Sequence, residues 1–484
     1  PRYMENVGPR DPVPSPLLAP CPPKESIIAT GETASLRATL PPPSAEQRAV
    51  INAVLEGRCV TVPSVAGSGK TTCMLQVASR LPLERKAVII TYNRSLKDDC
   101  RARINACGLE GRVSVYTIHG IVSRVAGRIC NDDSKLNEVL SEWDRGQVSK
   151  EAKPFPIDLV LLDEAQDLRP SFHAALCHVL RICSSNFNDG GFMSSRIGSS
   201  LEQRGEGSPS LQICLVGDPS QMLYDFKTYG SDKASIRYME EPERFWGQFT
   251  GSRNWVQRKL SVSYRLTPNI ASFVNAIWGT SITGGNSDTE NCPVDYICKY
   301  PFPSKYKEDD LRYLSTDFLG KLIDEYGAEN TLFLAQSVKS ENCPIRVHVN
   351  ELMKKKDSKG MRKYNFHVKE SVRGYEGKAD LRNKVRVWTF CGSKGCESDC
   401  VVVFGFDGGW VAALNQMGVA LSRARKRLVV IHGKKFEGKE LIANEYYPML
   451  GDTVPGLHHS VILGGRSLCV DAPQCNNGDK AVLK

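Results

Sequence analysis

The sequence has 484 residues and lacks any long apolar run. The longest candidate, residues 401–414, is interrupted by Asp407 and by glycines. It therefore falls short of the ~18 consecutive apolar residues that mark a membrane span. The first residues also lack the pattern of a secretory signal peptide. Both absences argue against a membrane-spanning or secreted protein.

The 17 cysteines do not form a recognisable framework. They are scattered through apolar segments of a large chain, which favours reduced thiols over a disulfide scaffold. Cys391, Cys396 and Cys400 come closest to a cluster, but their spacing differs from the paired C-x2-C of structural zinc sites. We expect an intracellular, reducing location, in the nucleus or cytoplasm. The chain starts at Pro1 rather than Met, so its true N-terminus is not visible.

No strong excess of charge of one sign is present. Lysine and arginine number 63 against 54 aspartate and glutamate residues, a net charge of +9. This modest surplus is compatible with a polyanionic partner without demonstrating one. With 41% hydrophobic and 24% charged residues the chain is globular, and its length suits two or three domains.

Short apolar runs alternate with helical patterns along most of the chain, which predicts α/β domains with buried parallel sheets. The predicted strands are 59–63, 87–91, 113–116, 157–162 and 211–217 in a first domain, then 331–335, 385–389, 400–406 and 428–432 in a second. The predicted organisation is a Pro-rich arm (1–43), an N-terminal domain (44–260), a C-terminal domain (261–450) and a tail (451–484). Residues 184–210, rich in Ser and Gly, are predicted to be a flexible insertion, and residues 357–384 a reduced accessory insertion.

A basic segment, Lys354 to Lys363, has six cationic residues and one acid. The simpler interpretation is a solvated loop, and the alternative is contact with phosphate groups.

The strongest local signal is Ser64-Val-Ala-Gly-Ser-Gly-Lys-Thr-Thr72, which lies between an apolar run and a helical pattern. A strand, a glycine-rich turn and a helix N-terminus together present backbone N–H groups to phosphate oxygens. We expect Lys70 to reach the β and γ phosphates of ATP and the Thr71 hydroxyl to bind Mg²⁺. The strict pattern has glycine in place of Ser64, so a purely structural glycine turn is the alternative.

Two acids follow the apolar run at 157–162, 93 residues after Lys70. Asp163 is expected to hold Mg²⁺ through water, and Glu164 to accept a proton from the attacking water. Two acids after a strand are also common on solvated loops. The presence of the phosphate-binding pattern favours the catalytic interpretation. Gln47, in a helical stretch before the first strand, is a candidate for pairing with the adenine edge.

The chain resembles superfamily 1 nucleic-acid helicases of the UvrD/Rep/PcrA type, from about residue 44 to residue 432. Besides the phosphate loop and Asp-Glu-Ala-Gln-Asp, four further segments occur in the family's order: Val-Gly-Asp-Pro-Ser-Gln-Met-Leu-Tyr-Asp-Phe at 216–226, Ser-Tyr-Arg at 263–265, Val-Trp-Thr-Phe-Cys-Gly-Ser-Lys-Gly-Cys-Glu at 387–397, and Val-Ala-Leu-Ser-Arg-Ala-Arg at 419–425. The resemblance implies two RecA-like P-loop domains with parallel sheets, an ATP cleft between them and small accessory insertions.

The resemblance also implies residue roles. Gln221 would sense the γ-phosphate, Arg265 and Arg423 would contact it, Tyr264 would pack on adenine, and Glu397 would contact the ribose. The full set of candidates is Gln47, Ala66, Gly67, Ser68, Gly69, Lys70, Thr71, Thr72, Tyr264, Gly395 and Glu397 for the nucleotide, Glu164, Gln221, Arg265 and Arg423 for catalysis, and Thr71 and Asp163 for Mg²⁺. The family has His at the position of Cys391 and a large apolar residue at that of Cys396.

Single-strand binding without sequence preference needs basic groups for phosphates and aromatic faces for bases. The candidate nucleic-acid-binding residues, several of them in segments that resemble the family's strand-contacting motifs, are Tyr92, Thr117, His119, Tyr224, Phe226 and Thr389. For Tyr92 and His119, the alternative to strand contact is a packing role in the core.

We therefore expect an ATP- and Mg²⁺-dependent helicase or translocase on single-stranded nucleic acid. The resemblance alone implies a DNA track and 3′ to 5′ movement, and RNA stays open because stacking does not select the sugar. Only about 36 residues separate Gly120 from Ile157, where relatives carry large insertions. The alternative is an ATP-gated single-strand clamp or assembly component that does not unwind duplex, with the arm and the Ser/Gly insertion as protein-binding segments.

Overall fold

The computed structural model describes residues 40–92, 94–188, 211–222, 234–251, 253–286, 294–300, 316–339, 344–369, 381–404, 411–433, 436–437, 440–441, 457–463 and 466–470. Nearly all of the predicted Pro-rich arm and most of the predicted Ser/Gly insertion lie outside these residues.

The first sheet has six parallel strands in the order β3-β2-β4-β5-β1-β6. They are β1 (Cys59–Pro63), β2 (Ala87–Thr91), β3 (Val113–Thr117), β4 (Leu159–Leu162), β5 (Gln212–Gly217) and β6 (Trp255–Gln257). The central strands read as continuous apolar runs because both faces of a parallel sheet are covered by helices. β6 has three residues, none of them fully buried, and carries no such run.

Helices cover both faces of this sheet. One apolar core packs under α1 (Ala45–Leu55), α2 (Lys70–Arg80) and α3 (Arg94–Ala106). The core on the opposite face packs under α4 (Ile118–Ala126), α5 (Asp133–Asp144), α6 (Pro170–Asn188), α7 (Arg237–Glu240) and α8 (Pro242–Thr250).

The connection to the second sheet contains a two-residue strand pair, β7 (Val262–Ser263) with β8 (Thr283–Gly284), and the helix α9 (Pro268–Trp278). The apolar side of α9 belongs to the core of the second sheet. The chain therefore passes from one sheet to the other before residue 266.

The second sheet has eight strands in the order β11-β12-β10-β13-β14-β9-β17-β18, with all neighbours parallel except β17 and β18. Its strands are β9 (Val294–Tyr300), β10 (Thr331–Ala335), β11 (Phe366–Lys369), β12 (Val385–Thr389), β13 (Ser398–Phe404), β14 (Ala424–Gly433), β17 (Leu457–Leu463) and β18 (Arg466–Val470), with β15 (Phe436–Glu437) and β16 (Glu440–Leu441) pairing apart. Its helices are α10 (Thr316–Tyr326), α11 (Pro344–Lys354) and α12 (Val411–Leu421).

The two helix-flanked, mostly parallel sheets confirm the predicted α/β fold class with two RecA-like units. Two predicted segments differ from the structure. The tail predicted at 451–484 contributes β17 and β18 to the second sheet, and the insertion predicted at 357–384 contributes its edge strand β11. Both were missed because their strands lack the continuous apolar run of a central strand: polar residues interrupt β11 (Phe-His-Val-Lys), β17 (Leu-His-His-Ser-Val-Ile-Leu) and β18 (Arg-Ser-Leu-Cys-Val).

Within the described ranges, no helix has the length and apolar character needed to cross a membrane.

We predict that Gly418→Ala destabilises the protein by about 1–3 kcal/mol, because α12 and α9 pack too closely at this position to admit a methyl group. A methyl group at Gly418 in α12 would lie 2.3 Å from the Trp278 ring of α9. Gly247→Ala in α8 is the control, since nothing lies within 4 Å of a methyl group there, and it should be neutral or slightly stabilising. Urea unfolding of both variants checks this; equal stabilities would contradict it.

Candidate functional site

The phosphate-loop segment runs from the end of β1 into α2. Gly67 and Gly69 adopt left-handed φ values of 72° and 78°, which only glycine adopts without strain, and Gly69 caps α2. The Ser64 backbone N–H and hydroxyl both donate to the Gly217 carbonyl, at 2.8 and 2.7 Å. Ser64, the departure from the strict pattern, therefore fastens the loop to the end of β5.

The loop forms a cradle of the kind that binds phosphate. Lys70, Thr71 and Thr72 form the first turn of α2 and are partly exposed, whereas Ala66 is buried. The Ser68 hydroxyl is buried and has no hydrogen-bond partner among the described residues. A buried hydroxyl without a partner is costly, and a bound phosphate oxygen would satisfy it. These residues fit ATP with Mg²⁺.

Gln47 and Tyr264 lie together beside this loop. The Gln47 side-chain amide donates to the carbonyls of Ser68 and Gly69 at 3.4 and 3.5 Å. Its carbonyl accepts from the Ser44 backbone N–H at the start of α1, at 3.0 Å. The Tyr264 backbone N–H donates to the Gly67 carbonyl at 2.9 Å, and its ring is 47% exposed.

The two acids stand at the carboxyl end of β4. Asp163 is 2% exposed, and one of its carboxylate oxygens accepts from the Glu164 backbone N–H at 3.0 Å. Glu164 has a left-handed φ of 51°, a conformation that costs a non-glycine residue about 1–2 kcal/mol. Strain of this kind is concentrated at functional sites. The Gln166 amide holds the Glu164 carboxylate at 2.6 Å.

The surroundings shift the pKa values of the two acids in opposite directions. Burial and the neighbouring Glu164 raise the pKa of Asp163 well above its usual value. Burial also acts to raise the pKa of Glu164, but Lys394 and Lys70 outweigh it and hold that pKa below its usual value. Of the two carboxyl groups, Asp163 therefore binds a proton more readily than Glu164. A divalent cation beside Asp163 would favour its ionised form as well.

A hydrogen-bonded chain crosses from the first sheet to the second. The Asp218 backbone N–H, after β5, donates to the Gln166 side chain at 3.0 Å, and the Asp218 carboxylate accepts from the Gln221 amide at 2.5 Å. The side-chain oxygen of Gln221 then accepts from Arg423, which lies just before β14 of the second sheet, at 2.9 Å. Gln221 is thus held between an acid of its own unit and a cation of the other.

Arg423 is a buried cation, 2% exposed. Besides Gln221 and the Ser422 hydroxyl, it donates to the carbonyls of Val419 at 2.7 Å and Cys396 at 3.2 Å. Among the described residues no carboxylate lies within 4.0 Å of it. Burial and the nearby Arg265 lower the pKa of Arg423 to about 9, so it remains charged at neutral pH. An anion in the cleft would compensate this charge.

Arg265 lies directly against the phosphate loop, since a methyl group at Gly67 would come within 2.5 Å of its Cβ. Its guanidinium pairs with Glu397 at 2.9 Å and donates to the Ser422 carbonyl at 3.1 Å. Glu397 also lies 3.5 Å from Arg425. Burial acts to raise the pKa of Glu397, but Arg265 and Arg425 hold it below its usual value. The Glu397 carboxylate is therefore engaged by arginines here, next to Gly395, whose φ is 82°.

Lys394 belongs to the same cluster and was missed by the sequence analysis. Its ammonium group pairs with the buried carboxylate of Asp167 and lies 3.5 Å from the Glu164 carboxylate. It also donates to the Gln221 carbonyl at 3.4 Å. Lys394 and Asp167 lie within two of the quoted motif segments. However, 227 positions separate them, and no local pattern pairs residues so far apart.

The two threonines proposed for strand contact have matching structural roles. Thr117 caps α4 by accepting the Gly120 backbone N–H at 3.1 Å. Thr389 accepts the Gly392 backbone N–H at 3.0 Å, at the start of a short turn after β12. Each therefore fixes the conformation of a loop at the carboxyl end of a strand.

Tyr92 and His119 pack on a common neighbour. Their rings lie 5.8 and 5.5 Å from that of Phe172, and both side chains are half-buried. His119 contacts the Asp133 carboxylate at 3.2 Å, and burial lowers its pKa. The other two aromatic candidates, Tyr224 and Phe226, lie outside the described residues.

Comparison with known proteins gives one family match. The family model described as an AAA domain matches residues 47–227, which include the phosphate loop, both acids and Gln221. This supports a nucleotide-binding role for the first sheet. No curated protein matches the chain.

Several solved structures are similar at low identity. The DUF1998 helicase MrfA bound to DNA is 14% identical over 84% of this chain, with a TM-score of 0.42, and this chain spans only 51% of MrfA. Dbp5 from S. cerevisiae, bound to RNA and ADP BeF3, is 11% identical over 90% of this chain and 93% of its own, with a TM-score of 0.45. Arterivirus nonstructural protein 10, a helicase with DNA, is 10% identical over 83% and 66%, with a TM-score of 0.37. TM-scores this low do not support an argument about the fold. The description of the fold therefore depends on the strand order given above.

We predict that Lys394→Met and Asp167→Asn are strongly coupled. Removing the lysine alone takes away the cationic partner of a fully buried carboxylate, a change that typically costs about 3–5 kcal/mol, whereas neutralising both is milder. Urea unfolding of the two single variants and the double variant should give a coupling energy of about 1–3 kcal/mol. Additive effects of the two substitutions would show that the pair does not join the sheets.

Proposed function

We propose that this protein is an ATP- and Mg²⁺-dependent motor on single-stranded nucleic acid, a superfamily 1 helicase or translocase of the UvrD-like type. The observation that carries the proposal is the contact between Arg423, just before β14 of the second sheet, and Gln221, just after β5 of the first, beside the acids that follow β4. Phosphoryl transfer needs charge around the γ-phosphate and a positioned water, and residues from both sheets are suited to supply them.

Nucleotide binding is assigned to the first sheet. Lys70 and the backbone N–H groups of the loop from Ala66 to Thr72 would hold the phosphates, and the Thr71 hydroxyl and Asp163 would hold Mg²⁺. Bound Mg²⁺ would neutralise phosphate charge. The hydroxyl of Ser68, buried without a partner, supports an oxygen ligand in the loop.

Nucleoside recognition is assigned to residues on the rim of the loop. Tyr264 offers an exposed ring for adenine, and Gln47 lies next to it with its amide already oriented toward the loop. Glu397, with Gly395 beside it, would reach the ribose once Arg265 turns from it to the γ-phosphate.

Proton transfer is assigned to Glu164. Its ionised carboxylate would accept a proton from the attacking water, and Gln221 would orient that water. The ammonium group of Lys394, 3.5 Å from this carboxylate, lowers the proton affinity of Glu164. Lys394 therefore has to withdraw for Glu164 to act as an efficient base.

Charge stabilisation is assigned to Arg265 and Arg423. Arg423 reaches the cleft only while the two sheets are in contact, so the complete set of charges exists only in the closed arrangement. Loss of the γ-phosphate on hydrolysis removes an anion that favours closure, which couples chemistry to domain movement.

The nucleic-acid track is assigned to the loops at the carboxyl ends of β2, β3 and β12, where Tyr92, Thr117, His119 and Thr389 lie, with Tyr224 and Phe226 as further candidates. We propose an N-terminal domain of residues 44–260 and a C-terminal domain that starts at residue 261 and includes β17 and β18, together with a DNA track and 3′ to 5′ movement. A second candidate function is an ATP-gated single-strand clamp. It is favoured by the small size of the described insertions, a pair of helices before β4 and one short strand, β11, before β12.

The experiment is steady-state ATP hydrolysis with and without single-stranded DNA and single-stranded RNA. We expect stimulation by one polymer, and a loss of about 10³-fold or more in Glu164→Gln because the proton acceptor is removed. Lys70→Ala should abolish hydrolysis by weakening phosphate binding. Hydrolysis that neither polymer stimulates would contradict the motor, and wild-type rates in both variants would contradict the site.

A strand-displacement assay on a forked duplex separates the two candidate functions. A helicase releases the displaced strand in an ATP-dependent manner. A clamp hydrolyses ATP on single strands and leaves the duplex intact.

A further inference from the structure

The segment that carries the chain from the first sheet to the second follows β6, and we call it the crossing segment (residues 258–265). It first continues alongside β1. The Arg258 backbone N–H donates to the Thr61 carbonyl at 2.9 Å. The Leu260 backbone N–H donates to the Pro63 carbonyl at 3.0 Å. The start of the crossing segment is therefore fixed to the first unit by backbone hydrogen bonds.

Glu46, in the first turn of α1, holds the next two residues of the crossing segment. One oxygen of its carboxylate accepts the backbone N–H groups of Ser261 at 2.8 Å and of Val262 at 3.4 Å, and the other oxygen accepts the Ser261 hydroxyl. Hydrogen bonds to a carboxylate are stronger than those between neutral groups. Glu46 and Ser261 are 215 positions apart, so no local pattern predicts the contact. Glu46 therefore fastens α1 to the crossing segment beyond the end of β1.

The second unit contacts the same part of the crossing segment. The Thr283 backbone N–H donates to the Ser261 carbonyl at 3.0 Å, and the Gly285 N–H donates to the Ser263 carbonyl at 2.8 Å. These bonds accompany the pairing of β7 with β8, and β8 follows α9, which packs in the core of the second sheet. Glu46 therefore holds the chain at the place where it leaves one unit for the other.

Glu46 stands next to Gln47, one of two side chains that face the phosphate loop. A methyl group at Gly69 would lie 2.8 Å from the Gln47 amide nitrogen and 3.9 Å from the Tyr264 ring. Gln47 belongs to α1, whereas Tyr264 belongs to the crossing segment. The two side chains assigned to adenine are therefore on separate elements, and the Glu46 carboxylate joins these elements directly.

Arg265, the last residue of the crossing segment, is held from the second unit. The Asn286 side-chain amide donates to the carbonyls of Arg265 at 3.0 Å and of Arg425 at 3.1 Å. This amide ties the Arg265 backbone to β14 of the second sheet. Loss of the Glu46 contact would therefore displace Tyr264 relative to α1 more than it would displace Arg265 relative to β14.

We propose that Glu46 is a positioning residue for the nucleobase. It holds α1 and the crossing segment together, so that Gln47 and Tyr264 can bind adenine between them. Glu46 itself contacts neither the base nor the phosphates. The proposal rests on the proposed function for its ligand, and it adds a residue that the family resemblance did not single out. Because Arg265 is held separately, Glu46 acts on nucleotide affinity and base preference and leaves the catalytic charges in place.

The test compares Glu46→Ala and Glu46→Gln with the control variant Glu142→Ala. Glu142 is also a partly exposed glutamate with a charged partner, Arg128 at 2.8 Å, but it lies in α5 on the opposite face of the first sheet. For each variant, kcat and KM are measured with ATP and with GTP, in the presence of single-stranded DNA and of single-stranded RNA. Affinities for ATP and GTP are measured by competition with a fluorescent ATP analogue, on protein whose urea unfolding transition is intact.

We expect Glu46→Ala to raise the KM for ATP about tenfold and to change kcat by less than about threefold, because a contact that shapes the binding site equally in the ground state and the transition state affects KM alone. The KM for GTP should change by less than about threefold, so the preference for ATP falls. Glu46→Gln should recover most of the affinity, since its side-chain oxygen still accepts a backbone N–H group. Glu142→Ala should match wild type.

Ser261→Ala supplies an independent variant, because it removes only the hydroxyl donor and leaves α1 unchanged. We expect it to raise the KM for ATP about threefold and to have no further effect when combined with Glu46→Ala, because both substitutions act on the same contact. Independent increases of KM that multiply in the double variant would contradict the assigned contact.

Equal losses for ATP and GTP in Glu46→Ala would overturn the proposal, because Glu46 would then support the phosphate loop rather than the base site. A fall in kcat at unchanged KM would also overturn it, because Glu46 would then act through Arg265. A wild-type protein without preference for ATP over GTP would overturn it as well and would leave the motor function intact. If the wild type hydrolyses neither nucleotide, the motor function fails, and the competition affinities of the same variants still decide the role of Glu46.

Discussion

The charged contact between the two sheets is the interaction on which the rest of the account depends. Arg423 is buried, bonded to Gln221 of the opposite unit, and without a carboxylate partner among the described residues. Close by, Lys394 reaches across to Asp167 and Glu164. Burying cations is costly unless anions or hydrogen bonds compensate them. Under the proposed function, the terminal phosphate of the nucleotide would lie beside these two cations, and the stability of the closed arrangement would then depend on what the cleft contains.

This arrangement suggests how ATP hydrolysis could change the position of one sheet relative to the other without an additional structural element. In the structure, the positive charges of the second sheet are compensated by protein groups: Arg265 by Glu397, and Lys394 by Asp167. A phosphate in the cleft would compete for these partners, so binding and hydrolysis would shift the equilibrium between arrangements of the two sheets.

Much of the fold could be predicted from the sequence, because buried parallel strands are apolar throughout. β1, β2, β10 and β12 have the predicted limits. Two edge strands, β6 and β11, escaped prediction because they are only partly buried and carry no apolar run. Only part of the candidate site could likewise be predicted from the sequence. Lys70 and Glu164 lie in local patterns, whereas the partnership of Lys394 with Asp167 and the left-handed backbone of Glu164 depend on tertiary contacts that no local pattern records.

The most direct test of the central claim separates nucleotide binding from hydrolysis in Arg423→Met, with Arg423→Lys to preserve charge and Arg103→Met, on the exposed face of α3, as a matched control. Affinity for a fluorescent ATP analogue and the maximal hydrolysis rate are measured on protein whose unfolding transition is intact. We predict that Arg423→Met binds nucleotide within about threefold of wild type and loses about 10³-fold or more of the rate, as for an arginine that stabilises transferred phosphate. Arg423→Lys should recover part of that rate. Hydrolysis by folded Arg423→Met within about tenfold of wild type would contradict the account.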